Sequence, residues 1–269
     1  MVLKIYSPPP PLNIFVKSLI YYKGYTASDA LEKLLPDGNS QLIIALDDNP
    51  RIATRETTDT HFTKAWITGI QTQPIVYQGE QNAQTLCIQF HPGGLYALTH
   101  IPSTEFHNQL IEASLVLNPA TINHLREQLL ACHTAAEIFS IACIFLKQRL
   151  FTFTPDNYLL TFTHLLLCEK NQPLAQVSRQ TGYSQKHFIQ LYKKMAGISP
   201  KKYQRLHRVN RAIELLQRKA QFSYSDISHL CHFYDQAHFI NEFRYFTGFS
   251  PSQYLQLSLS YPHVVAYST

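Results

Sequence analysis

The C-terminal part of the chain repeats itself, and the spacing of that repeat fixes most of what it can fold into. His187-Phe188-Ile189 recurs as His238-Phe239-Ile240, Gly197-Ile198-Ser199-Pro200 as Gly248-Phe249-Ser250-Pro251, and Tyr203 as Tyr254, all 51 residues apart. Upstream the offset is 50, aligning Leu174-Ala175-Gln176-Val177 with Tyr224-Ser225-Asp226-Ile227, so the second copy holds one extra residue in its turn. Ser184 and Asp235 then become equivalent, and both are residue types whose side-chain oxygen accepts from the free N–H groups at a helix start. Each copy reads as a short helix, a turn and a capped second helix, the organisation of a helix-turn-helix.

Within each second helix the spacing separates two faces. Phe188, Tyr192 and Met195 share an inward face in the first copy, and Phe239, Phe243 and Phe246 do so in the second. Lys186, Gln190 and Lys193 are left outward in one, and Gln236, Asn241 and Arg244 in the other. Those types suit major-groove readout, since Lys can donate to guanine O6 and N7 while Gln and Asn pair with adenine N6 and N7. Between the copies, Ser199-Pro200 caps and starts a longer helix to about Arg218. Its length, roughly 28 Å at 1.5 Å per residue, is near the roughly 34 Å between successive major-groove faces.

From Pro173 to Leu255 the chain resembles the DNA-binding domain of the AraC/XylS family of transcription regulators. The residues that carry the resemblance are Asp235-Gln236-Ala237-His238-Phe239, Phe243-Arg244 and Gly248-Phe249-Ser250-Pro251. The resemblance implies base contacts at Lys186, Ile189 and Gln190 and at Gln236, Ala237, His238 and Asn241, with Lys193, Lys194 and Arg244 approaching phosphates. It implies double-stranded DNA as partner and, for an activator, RNA polymerase. The chain departs from the family pattern at His232, where the turn usually has glycine, as at Gly182; a positive φ costs a histidine roughly 1 to 2 kcal/mol. His187 and His238, next to inward phenylalanines, can equally serve as local hydrogen-bonding residues.

The N-terminal half follows a different period. Leu35-Pro36-Asp37-Gly38-Asn39 is a turn, because Pro sets φ and Gly or Asn tolerates positive φ. Gln41 to Leu46, Phe62 to Ile70, Ile75 to Gln78 and Thr85 to Phe90 read as strands, the last alternating Leu86, Ile88 and Phe90 against Cys87 and Gln89. From Thr121 to Leu150 helical spacing takes over, in two helices broken near His133-Thr134, and Thr154-Pro155 reads as the cap and first residue of a helix through about Glu169. A looser resemblance joins this half to a β-containing domain found ahead of the same DNA-binding domain, through Leu35-Pro36-Asp37-Gly38, Trp66-Ile67-Thr68-Gly69 and Phe90-His91-Pro92-Gly93-Gly94-Leu95-Tyr96. The expected fold class is α+β multidomain: a β-rich sensing or dimerisation domain over 1–154, then an all-α domain with two helix-turn-helix units and a linker helix over 155–269.

Charge supports the division. Residues 1–154 hold 10 basic and 12 acidic groups, and residues 155–269 hold 13 and 6, so the net charge of +5 splits into −2 and +7. Only the second part is expected to meet a polyanion.

Five widely spaced cysteines, at 87, 132, 143, 168 and 231, include no C-x-x-C pair, which argues against a disulfide framework or zinc site and for a reducing cytoplasm. His61, His91, His100 and His107 stand at no recognised ligand spacing, so no metal and no cofactor are expected. A run of four prolines near Met1 replaces any signal peptide, no apolar stretch suffices to cross a membrane, and Gly93-Gly94 reads as a turn rather than a phosphate loop. The chain is expected not to be an enzyme and to take a small-molecule effector or to form a homodimer through its N-terminal domain. Two other readings remain: an interaction adapter that keeps the fold without binding DNA, and an alkyl-transfer enzyme fused to a DNA-binding module, for which no cysteine stands in a Pro-Cys-His setting.

Overall fold

The computed structural model describes every residue except 28–29, 56–57, 151–158, 161–162, 219–221, 258, 262–263 and 268–269. The expected helix start at Thr154-Pro155, and with it the boundary between the two parts, lies outside the described residues.

Ten strands form two antiparallel sheets in the N-terminal part: β1 (Val2–Tyr6), β2 (Val16–Tyr25), β3 (Leu31–Leu34), β4 (Ser40–Ala45), β5 (Arg51–Arg55), β6 (Thr58–Phe62), β7 (Ala65–Thr68), β8 (Ile75–Gln78), β9 (Ala83–Phe90) and β10 (Leu110–Glu112). The first sheet has the order β1-β2-β9-β4-β7-β10. Its register places Leu19 and Leu42 opposite Ile88, and Tyr21 and Ile44 opposite Leu86. That face is buried beneath the helices α2 (Pro119–Leu130) and α3 (Ala135–Arg149), whose Ile122, Leu125, Leu129, Ile138 and Phe145 belong to the same core. Burying each such side chain is worth about 1.5 to 3 kcal/mol, which is why the alternation in β9 and the helical stripe after it are so regular. Arg126 of α2 fixes the stack by donating to the carbonyls of Ala45 and Asp47, each at 2.8 Å. The capping box of Thr134 and Glu137 starts α3 at the expected break.

The opposite face, with Ile20, Ile43, Trp66 and Cys87, looks toward the second sheet and packs on its Ala53, Phe62, Ile75 and Tyr77. The stretch expected as one strand from Phe62 to Ile70 is two: β6 ends at Phe62 and β7 starts at Ala65, because the carbonyl of Lys64 turns to accept from the backbone N–H of Ala45. β1, β2 and β3 extend the sheets beyond the expected strands. A short helix α1 (Gly94–Thr99) follows the β9 strand, and Gly93 at its start has φ +90°.

The C-terminal part is helical, with α4 (Leu174–Gln180), α5 (Gln185–Ala196), α6 (Pro200–Gln217), α7 (Tyr224–Leu230), α8 (Gln236–Thr247) and α9 (Pro251–Gln256). Two short strands follow, β11 (Leu259–Tyr261) and β12 (Val264–Tyr267). β12 pairs with β3, Val264 opposite Leu34 and Tyr267 opposite Leu31, so the second sheet has the order β11-β12-β3-β8-β5-β6. The end of the chain thus completes a sheet begun near its start, a pairing with no local sequence signal.

Candidate nucleic-acid interface

The two repeat copies fold as α4-turn-α5 and α7-turn-α8. Ser184 Oγ accepts from the backbone N–H of His187 at 3.3 Å, and Asp235 Oδ1 accepts from that of His238 at 2.7 Å, each satisfying a donor that the helix start leaves free. Gly197 and Gly248 end α5 and α8 in the left-handed conformation. The turn before each second helix needs positive φ at one position, and the chain supplies it with Gly182 at +73° in the first copy and His232 at +57° in the second. His232 therefore adopts the turn that glycine usually makes.

Packing follows the expected faces. Phe188, Tyr192 and Met195 are at most 2% exposed, and Phe239, Phe243 and Phe246 are fully buried. Lys186, Gln190, Lys193 and Lys194 lie exposed on α5, and Gln236, Ala237, Asn241 and Arg244 lie exposed on α8, while Ile189 and His238 are half-buried. His238 also works locally: its Nδ1 accepts from the backbone N–H of Tyr234 at 3.1 Å, and its ring meets Phe233 edge-on. The ammonium of Lys194 stands 5.3 Å from the centroid of the Tyr96 ring, on α1.

Three features escaped the sequence reading. Tyr183 and Tyr234 are equivalent, precede the second helix of their copies and are 37% and 91% exposed, so two phenol groups flank the outward faces. They sit at the same offset of 51 as the other matches, which is the signal that could have found them. Secondly, Arg205 of α6 reaches across to α8: Nε and Nη2 donate to the two carboxylate oxygens of Glu242 at 2.7 and 2.8 Å, and its guanidinium lies 5.0 Å from the Tyr245 ring centroid. Burial pushes the Glu242 carboxyl up, but the hydrogen bonds and charge of Arg205 outweigh it and hold the group below the ordinary range. A bidentate pair of this kind fixes an angle as well as a distance, here between the linker helix and the second unit.

The third is contact between the first unit and the sheets. The Tyr203 hydroxyl of α6 donates to the carbonyl of Gly38 at 2.7 Å, inside the expected Pro36-to-Asn39 turn. A Cβ at Gly197 would lie 2.9 Å from the Ser103 carbonyl oxygen, so α5 ends directly against the loop after α1.

Residues 197–257 match a family model described as a helix-turn-helix domain, and residues 4–112 match one described as a domain of unknown function (DUF6597). The helix-turn-helix match begins at Gly197, the cap that ends α5, and covers the linker helix and the whole second unit. The C-terminal part thus holds a helix-turn-helix domain, the organisation its internal repeat predicts. No curated protein matches the chain in sequence. Among solved structures the chain is similar to ToxT from Vibrio cholerae, at 12% identity and a TM-score of 0.49 over 88% of this chain and 97% of that one. It is also similar to the transcriptional regulator CdpR from Pseudomonas aeruginosa, at 16% identity and a TM-score of 0.33 over 65% and 46%. The AraC-like transcriptional activator CuxR gives 15% identity and a TM-score of 0.28 over 81% and 87%.

Proposed function

We propose that the chain binds double-stranded DNA in a sequence-specific manner and that its N-terminal part, through an effector, controls that binding. The observation that carries the reading is the pair of capped, similarly built second helices, α5 and α8, each presenting polar side chains to solvent from a phenylalanine-packed base. In this reading Lys186, Ile189 and Gln190 meet bases from the first unit, and Gln236, Ala237, His238 and Asn241 from the second. Lys193, Lys194 and Arg244 meet phosphates. The division into 1–154 and 155–269 is part of the proposal, with the added feature that β12 ties the second part to the first.

The chain works without catalysis in the cytoplasm, as a monomer or a homodimer, and as an activator it would contact RNA polymerase. Burial raises the thiols of Cys87, Cys132, Cys143 and Cys231, the last to about 11, which is the opposite of what an alkyl-accepting nucleophile needs. Among the described residues no group of three or more His, Cys, Asp or Glu side chains could hold a metal ion, and no helix is long and apolar enough to cross a membrane. Selection of bound sequences from a random duplex pool, followed by affinity against salt, tests the proposal: a recovered motif whose binding weakens steeply with salt supports it. Recovery of no motif together with salt-independent or absent binding would leave the adapter reading in its place.

A further inference from the structure

The two sheets do not fill the space between them. Beside the packed Ile43, Phe62, Trp66 and Ile75 lies a cavity of about 950 Å³, walled by both sheets, by Val264 of β12 and by His207, Asn210, Arg211 and Glu214 of α6. That is within the range of small-molecule sites, and the wall includes the helix that carries both helix-turn-helix units.

Part of the wall is acidic and buried. Arg51, 1% exposed, lies 2.7 Å from Asp47 Oδ2 and 2.7 Å from Glu80 Oε1. Glu32, 7% exposed, lines the cavity beside this cluster and accepts from the Tyr25 hydroxyl. Burial pushes the Glu80 carboxyl up and Arg51 pulls it down, while the neighbouring carboxylates of Asp47 and Glu32 push it up again. Two carboxylates thus share one guanidinium, and a third, Glu32, stands close enough to act on Glu80. Of the other charged groups of the wall, Lys17 donates to Asn39 Oδ1 at 3.5 Å, Asp37 accepts from the side-chain amides of Asn39, Gln41 and Gln89, and Arg211 and Glu214 lie one turn apart on α6.

Two further observations point to a ligand rather than to a mere acidic patch. Tyr22, Tyr25, Tyr77 and Trp66 line the same cavity, and aromatic faces attract a cation most strongly where water is excluded. Trp66 is 3% exposed and its indole Nε1 has no hydrogen-bond partner among the described residues, a buried donor that a ligand oxygen would satisfy.

We infer that this cavity binds a small organic cation, an amine or amidine with an apolar or aromatic body and an oxygen acceptor. Glu32 and Glu80 face its charge, the tyrosines flank its body, and Trp66 Nε1 donates to its oxygen. A carboxylate ligand would instead add like charge to an acidic wall. The inference rests on the reading of the N-terminal part as the effector-controlled one, and α6 supplies the physical link, because a ligand in the cavity touches the helix whose Arg205 holds the second unit.

Trp66 is the chain's one tryptophan, so its emission in the full-length protein reports on the cavity directly. Three compounds of one shape separate charge from size: 2-phenoxyethylamine, 2-phenoxyethanol and phenoxyacetate. The amine should shift Trp66 emission saturably and raise the thermal midpoint, with the alcohol and the acid at least about tenfold weaker, as loss of a charge-assisted hydrogen bond requires. Glu32→Gln should weaken the amine by about tenfold and leave the alcohol unchanged. The Glu80 pair with Arg51 is structural, so the three-compound comparison on the unaltered chain stands without that variant. Equal binding of amine and alcohol, tighter binding of the acid, or no saturable change with any of the three overturns the inference. Gel shifts on the same samples keep the two readings apart: a chain that binds its selected duplex and ignores the amine fails only the cavity assignment. One that binds the amine and no duplex fails only the regulator reading.

Discussion

In the first helix-turn-helix unit, α5 carries Lys186, Lys193 and Lys194 and ends against the loop after α1; in the second, α8 carries Arg244 as its one Lys or Arg and is clamped to α6 by Glu242. Over matched stretches, Leu174 to Leu206 holds seven Lys or Arg and no acid, whereas Tyr224 to Leu257 holds one against Asp226, Asp235 and Glu242. The ion pair narrows the contrast without removing it: Arg205, one of the seven, pairs with Glu242, which leaves six basic groups in the first stretch and one against two acids in the second. The same backbone motif has been given electrostatic reach and a contact with the sheets in one copy, and a fixed angle with a mostly neutral outward face in the other. On the proposed DNA-binding reading, affinity comes mainly from the first unit, and sequence discrimination is shared between the two.

The most damaging change to that division is the double replacement Lys193→Ala, Lys194→Ala. A charge-assisted contact is worth about 1.5 to 3 kcal/mol, so losing two should weaken binding by roughly a hundredfold or more on every duplex. The salt dependence should flatten by up to about 0.9 per lost phosphate contact. Lys194 also stands over Tyr96, so of the single variants Lys193→Ala should flatten the slope more. Affinity titrations across a salt series on specific and scrambled duplexes decide the matter, and an unchanged slope would sink the unequal division.

Next in size is the double replacement Gln236→Ala, Asn241→Ala. Each bidentate contact to a base is worth about 1 to 3 kcal/mol of discrimination. The preference at one half-site should therefore relax while the salt slope stays as it was. A larger slope change here than for the lysine pair would reverse the assignment of roles.

Smaller is the effect of the clamp. Glu242 has a folded-state value below its ordinary one, so its contribution is fully present above about pH 4.5, the unperturbed value, and is lost as pH falls through the lower folded value. Glu242→Gln should cost about 1.5 kcal/mol at neutral pH and remove that acid-side loss from urea titrations between pH 3 and 6. Equal acid sensitivity in both proteins would show that the pair carries no stability. The variant should also tolerate a wider range of half-site spacings, since the angle between α6 and α8 is then less firmly set.

What the sequence revealed follows the range of the interactions. The caps at Ser184 and Asp235, the buried faces of α5 and α8 and the alternation in β9 are local, written within a few residues, and could be read directly. The pairing of β12 with β3 and the ion pair of Arg205 with Glu242 join residues far apart in the chain, and neither partner carries a local mark. The helical period of α2 and α3 was likewise local, and Ile122, Leu125, Leu129, Ile138 and Phe145 pack on the first sheet. The cavity was the least legible feature, because Glu32 lies on β3, Trp66 on β7 and Glu80 in the loop between β8 and β9, and only the arrangement of the two sheets brings them to one wall.

The smallest expected effect tests the one place where the second unit departs from the first in its backbone. His232 stands at φ +57°, where the first unit has Gly182 at +73°. A side chain with Cβ in this region is strained by about 1 to 2 kcal/mol, while a glycine gives back roughly 0.5 to 1 kcal/mol through the greater freedom of the unfolded chain. The difference favours glycine, so His232→Gly should stabilise the protein by about 0.5 to 1 kcal/mol without moving α7 or α8. The imidazole of His232 is exposed, whereas that of the neighbouring His238 accepts the local hydrogen bond from the backbone N–H of Tyr234. Urea unfolding of the two proteins measures the gain, and the DNA preference of the variant should be unchanged. A loss of stability on replacement would mean that the imidazole holds the turn through its own contacts, and a changed half-site preference would make His232 part of the reading surface.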